Sequence, residues 1–102
     1  MEAKDNNGRL EIELPALLDL PLAAELRDVL LDALARDTGA DLVLKADAVE
    51  RVSTAAIQVL LAAQAAFAAA ARRLEVEAAS PALRAAFGHL GLTGDLDQMT
   101  TS

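Results

Sequence analysis

The stretch Leu42-Val43-Leu44-Lys45-Ala46-Asp47-Ala48-Val49-Glu50-Arg51-Val52-Ser53-Thr54-Ala55-Ala56-Ile57-Gln58-Val59-Leu60-Leu61 decides the fold. With Asp41 before it, Leu42-Val43-Leu44 is an apolar run too short for a helix and typical of a central strand covered on both faces. Ala46 to Val52 is a linking segment. Ser53 or Thr54 can then cap a long helix, its hydroxyl oxygen accepting from an otherwise unpaired backbone N–H, and Ile57, Leu60, Leu61, Phe67 and Ala71 share one face of that helix. Arg72 and Arg73 place positive charge at the negative end of the helix dipole. Leu74-Glu75-Val76-Glu77-Ala78 alternates as the next strand would.

Upstream the same strand-then-helix pattern recurs. Leu10, Ile12 and Leu14 alternate with Arg9, Glu11 and Glu13, which predicts a half-exposed strand at a sheet edge. Ala16-Leu17-Leu18, after Pro15, suits a short second strand. Asp19 can cap a helix with Pro21 in its first turn; Leu22, Leu26, Val29, Leu30, Ala33 and Leu34 form its apolar side, and it ends near Thr38-Gly39. Downstream, Ser80-Pro81 opens a last helix running to about Leu90, with Leu83, Ala86, Phe87 and Leu90 as its apolar set. The order β(β)αβαβα implies an α/β domain in which a small mixed or parallel β-sheet is flanked by about three to four helices. The boundaries expected are a flexible N-terminus over 1–8, ending in the turn-forming Asn6-Asn7-Gly8, one domain over 9–97, and a flexible tail over 98–102.

Bulk composition excludes several function classes. Hydrophobic residues make up 54% of the 102 residues but aromatic ones only 2%, so the core is built from Leu, Val, Ile and Ala. Sixteen acidic residues against nine basic ones give a formal charge of −7, which repels phosphate backbones and anionic lipid surfaces, so nucleic acid is not expected as a partner. No run of about 18 apolar residues lacks a charge, and Met1 is followed by Glu2, Lys4 and Asp5 rather than a basic flank, so neither membrane insertion nor a signal peptide is expected. With no cysteine, a cytoplasmic location is expected.

Catalytic constellations are equally hard to assemble. His89, the only histidine, falls late in the last helix, and the carboxylates match neither an EF-hand loop nor a His-Glu-x-x-His metal site. Gly88, Gly91 and Gly94 follow a helix where phosphate loops precede one, so they suit a C-cap and turn. No enzyme activity, metal or cofactor is expected. The Ala-rich stretch from Ala62 to Ala71 reflects helix propensity, or else an exposed, nearly flat helix face made for a partner. Ser53 and Thr54 sit where a strand of a parallel sheet hands over to a helix, the place where such sheets bind ligands and partners.

The run from Leu42 to Leu61 resembles the signature of the STAS family, whose members include the anti-sigma factor antagonists: an apolar strand, an Asp-led loop, then Asp-Ser-Ser-Gly-Leu and a helix. Aligned without gaps, Ile57, Val59, Leu60 and Leu61 take the family's apolar helix positions and Val49 its loop valine. Leu18-Asp19-Leu20 with Ala24-Glu25-Leu26-Arg27, and Ser80-Pro81-Ala82-Leu83-Arg84, are similar to further family segments, so roughly residues 9 to 93 are covered. The resemblance implies a partner-switching module docking onto an anti-sigma factor or GHKL-type kinase through Asp19, Asp47, Ser53, Thr54, Ala55, Ala56 and Gln58. Ser53 stands for the family's first motif acid, Thr54 for its first serine, Ala55 for the serine phosphorylated in many members, Ala56 for its glycine, and Lys45 for a usual aspartate. Ala55 cannot accept phosphate, which leaves Thr54 and Ser53 as the candidate phosphorylation sites. A hydroxyl one position early also resembles the small STAS subunit of bacterial phospholipid-transport ABC systems, which binds the ATPase, and STAS proteins of chemotaxis clusters. A homodimer stays open as a further form.

Overall fold

Each buried strand is only four or five residues long, so the sheet depends on the helices that return the chain between its strands. The structure, a computed structural model, describes residues 1–6, 8–36 and 40–100. Along it run β1 (Lys4–Asn6), β2 (Arg9–Glu13), β3 (Leu17–Leu18), α1 (Leu20–Ala35), β4 (Leu42–Lys45), β5 (Arg51–Val52), α2 (Thr54–Ala69), β6 (Leu74–Glu77), α3 (Pro81–His89) and α4 (Thr93–Met99). The main sheet has the order β1-β2-β4-β6. Strands β2, β4 and β6 are parallel, with Leu10, Leu42 and Leu74 in one row and Ile12, Leu44 and Val76 in the next. Both α1 and α2 step to the next strand in the same direction, and right-handed crossovers place them on one face of the sheet. That face carries those six buried residues, and Leu26, Leu30, Ile57, Leu60 and Phe67 close the core from the helices.

The opposite face is charged. Glu11, Val43 and Glu75 form one row there, and Glu13, Lys45 and Glu77 the next. Val43 is still only 1% exposed. Its neighbours in register are two glutamates, and the aliphatic stems of such side chains cover apolar surface while their heads stay in water. All three apolar residues of β4, Leu42, Val43 and Leu44, are thus buried, as expected of a strand covered on both faces.

Three features depart from the sequence reading. The segment expected to be a loose N-terminus contains β1, which pairs antiparallel with β2 through Lys4↔Glu11, Asp5↔Leu10 and Asn6↔Arg9, so β2 lies inside the sheet and not at its edge. The hairpin turns at Gly8, whose φ of +83° suits glycine and whose N–H donates to the Asp5 carboxylate at 3.2 Å. Every residue of β1 is exposed, so no apolar alternation announces it. Of the tail expected over 98–102, residues 98 and 99 are instead the end of α4, which buries Leu96 and Met99, and Thr100 bridges to Val76 beside β6; residues 101 and 102 lie outside the described residues. The linking segment before Ser53 holds β5, which pairs parallel with β3. Asn7 of the expected Asn6-Asn7-Gly8 turn, and the Thr38-Gly39 helix end, lie outside the described residues; Arg36 is the C-cap of α1.

Arg72 shows the same limit of local reading. Sequence position assigns it to the end of α2, but its guanidinium crosses to the end of α1 and donates to the carbonyls of Leu34 (3.0 Å), Ala33 (3.2 Å) and Arg36 (3.5 Å), and to Ala40 O at 2.8 Å. It is 8% exposed and stacks on the Phe67 ring at 4.8 Å. The last carbonyls of a helix lack intrahelical partners, and a fork of five N–H donors can reach several of them together.

Candidate interaction site

Two residues of β3 and two of β5 place the candidate site. Leu17 pairs with Arg51 and Leu18 with Val52, and Ser53 N–H donates to Leu18 O at 2.8 Å. Ala16 O accepts from both Glu50 N–H (2.8 Å) and Arg51 N–H (3.0 Å), which ties the loop after β4 to the segment before α1. Leu18 and Val49 anchor this small sheet in the core. Asp19 and Ser53 follow the paired residues directly, so the N-termini of α1 and α2 lie side by side at the end of the sheet to which β2, β4 and β6 point.

Each helix start is already capped. Asp19 Oδ1 accepts from Leu22 N–H at 3.3 Å, and Ser53 Oγ accepts from Ala56 N–H at 3.1 Å. Of the two capping candidates Ser53 is the N-cap, and Thr54 is the first helical residue, exposed to solvent. Asp19 and Ser53 line one shallow depression of about 250 Å³ with Leu17, Leu18, Arg51 and Val52. Asp47 is exposed in the turn after β4 and lines neither that depression nor the larger groove described next. Ala56, expected among the contact residues, is fully buried: its methyl packs into the core, so only its N–H serves the junction.

Ala55 and Gln58 open onto a second feature, a groove of about 510 Å³ between α1 and α2. Its α1 wall includes Leu30, Leu31 and Leu34, and its α2 side includes Val59, Ala62 and Ala66, with Phe67 beneath. This groove takes in part of the Ala-rich stretch, and the exposed Ala62 and half-buried Ala63 and Ala66 lie along it. Leu31, 56% exposed, stands at its rim. Among the described residues Arg27 is the one charged residue of the lining. Sequence spacing marked the alanines, Leu30 and Leu34 but not Leu31, which falls outside the apolar stripe that identified α1.

The charged sheet face is separate from this site. Lys45 lies 3.5 Å from Glu11, and Arg9 lies 3.1 Å from the same carboxylate. The Arg9 contact, helped by Asn6 and Lys45 and opposed by partial desolvation, holds the Glu11 carboxyl below the usual glutamate range. Among the described residues no cluster of three His, Cys, Asp or Glu could hold a metal ion, and no helix is long and apolar enough to cross a membrane. No curated protein matches the chain. A family model described as Mlab, STAS domain, matches residues 2–101.

Proposed function

Because the chain belongs to the STAS domain family, we propose that it is a non-enzymatic, cytoplasmic interaction module that docks onto a protein partner through the Ser53–Thr54 junction, in the manner of an anti-sigma factor antagonist. The observation that carries this reading is the β3–β5 pairing, which sets two helix N-termini side by side and leaves Thr54 exposed between a shallow depression and an apolar groove. Ser53 is occupied as a cap, which leaves Thr54 as the hydroxyl available to a partner. With Ala55 at the family's acceptor position, docking is constitutive unless Thr54 itself is modified. A phosphate there would add about −1.5 to −2 charge beside the positive end of α2 and alter the contact.

The partner class follows from a cheap observation. Copurification with an anti-sigma factor or GHKL-type kinase supports the partner-switching role; copurification with an ABC ATPase supports a transport-subunit role, which the uncharged face of α2 favours because it suits a lasting contact. Thr54→Glu is expected to weaken partner binding at least tenfold in a calorimetric titration while the circular dichroism spectrum and unfolding midpoint stay close to wild type. An unchanged affinity would show that the junction is not the docking site.

A further inference from the structure

The two walls of the α1/α2 groove repeat at a spacing of their own. Arg27, Leu31 and Leu34 follow one another at steps of four and three on α1, and Ala55, Val59, Ala62 and Ala66 do so at four, three and four on α2. That is the spacing with which one helix presents a seam to another, and small side chains let the second backbone come close. From Ala55 to Phe67 the lining extends about 18 Å at 1.5 Å per residue, which matches a little over three helical turns. We infer that this groove receives one amphipathic helix of the docked partner, about three turns long, apolar on the side facing α2 and carrying a carboxylate that meets Arg27. The inference deepens the docking role proposed above and rests on it.

Charge selects this occupant. No residue from Thr54 to Ala71 is ionisable, so the α2 side accepts only neutral contacts. On the α1 side Arg27 has one ionic neighbour, Asp28 at 3.4 Å, and both side chains are well exposed at 64% and 70%, so that pair holds the guanidinium weakly and a partner carboxylate can take it over. A second copy of the chain would bring another −7 of charge to the contact, which disfavours it. An acyl chain lying in so open a trough would keep much of its length in water.

Photocrosslinking in the native host tests this. A benzoylphenylalanine is placed at exposed Ala62 in one chain and at exposed Thr54 in another, and the crosslinked peptides are sequenced by mass spectrometry. The expected result is that both positions capture the same partner, and that position 62 captures a helical segment with apolar residues at steps of three and four and an Asp or Glu among them. Arg27→Glu should then lower partner affinity about tenfold, and exchanging that partner carboxylate for Lys should restore it. Capture at position 62 of a strand or loop, of a lipid, or of a second copy overturns the helix inference, as does no capture there while position 54 still crosslinks. No capture at position 54 overturns the docking reading instead, and silence at both overturns both.

Discussion

Arg72 is a full charge held in the interior by backbone carbonyl dipoles and the face of the Phe67 ring, with no carboxylate bonded to it among the described residues. Because charge-assisted hydrogen bonds contribute about 1.5–3 kcal/mol where neutral ones contribute about 1, Arg72→Ala should destabilise the fold by about 3 kcal/mol in urea unfolding. Arg72→Lys should recover less than half of that, since an ammonium cannot span the same carbonyls. Next to it, Ala71 adopts φ 57°, with Arg72 N–H donating to Phe67 O at 2.8 Å, while the equivalent turn after α3 has Gly91 at φ 71° and Leu92 N–H donating to Phe87 O at 2.8 Å. The two helix ends use one motif, and only one has the residue that adopts it without strain. Ala71→Gly should therefore stabilise by about 0.5–1 kcal/mol, and Gly91→Ala should destabilise by a similar amount. Glu11 gives the pH counterpart. A carboxyl held below its ordinary range stabilises the fold above the unfolded-state value, and that contribution disappears as pH falls through the folded one. An NMR titration of its side-chain carbonyl should show Glu11 ionising below the ordinary glutamate range, and Arg9→Ala should move it upward.

Among the elements, α4 is a clear test of what the amino-acid pattern hides. It has seven residues, no side-chain cap at Leu92, and only Leu96 and Met99 turned inward, yet both are buried against the rest of the fold. Truncation after Leu92 should cost about 4 kcal/mol, from two apolar side chains at about 2 kcal/mol each, measurable as a lowered urea midpoint. Phe67→Ala should cost about 3 kcal/mol or more, because the ring packs under α2 and against Arg72. The elements legible in the sequence were those whose burial is periodic: Leu10-Ile12, Leu26-Leu30-Ala33, Ile57-Leu60 and Leu83-Phe87 all reach the core. The capping serines were legible too, since Ser53 and Ser80 each accept the bond expected of an N-cap. Elements defined by pairing were not. Strand β1 has no apolar residue, β5 has two residues whose role exists only against β3, and Arg72 serves the end of a helix 36 or more positions away. At the candidate site, the junction could be read from its hydroxyls, whereas the groove needs α1 and α2 side by side before Leu31 has any meaning.

Across the whole molecule, charge and neutrality are divided between faces. The outer sheet face carries Glu11, Glu13, Lys45, Glu75 and Glu77, while α2 carries no charge at all. A net charge of −7 on so small a chain opposes compaction, so raising NaCl from low to about 0.3 M should raise the thermal midpoint by screening that repulsion. One edge of the main sheet is the three-residue, polar β1, and at the other Thr100 bridges to Val76 of β6, which leaves edges with little to offer a foreign strand. The guanidinium of Arg72 has one more consequence. It bonds the end of α1 while stacking on Phe67 of α2, and the β3–β5 pairing joins the starts of the same two helices. Their separation is thus fixed at both ends before any partner arrives. A ligand lying between them meets a preorganised cleft, so association should proceed in a single kinetic step, with little of the binding free energy spent on ordering this protein.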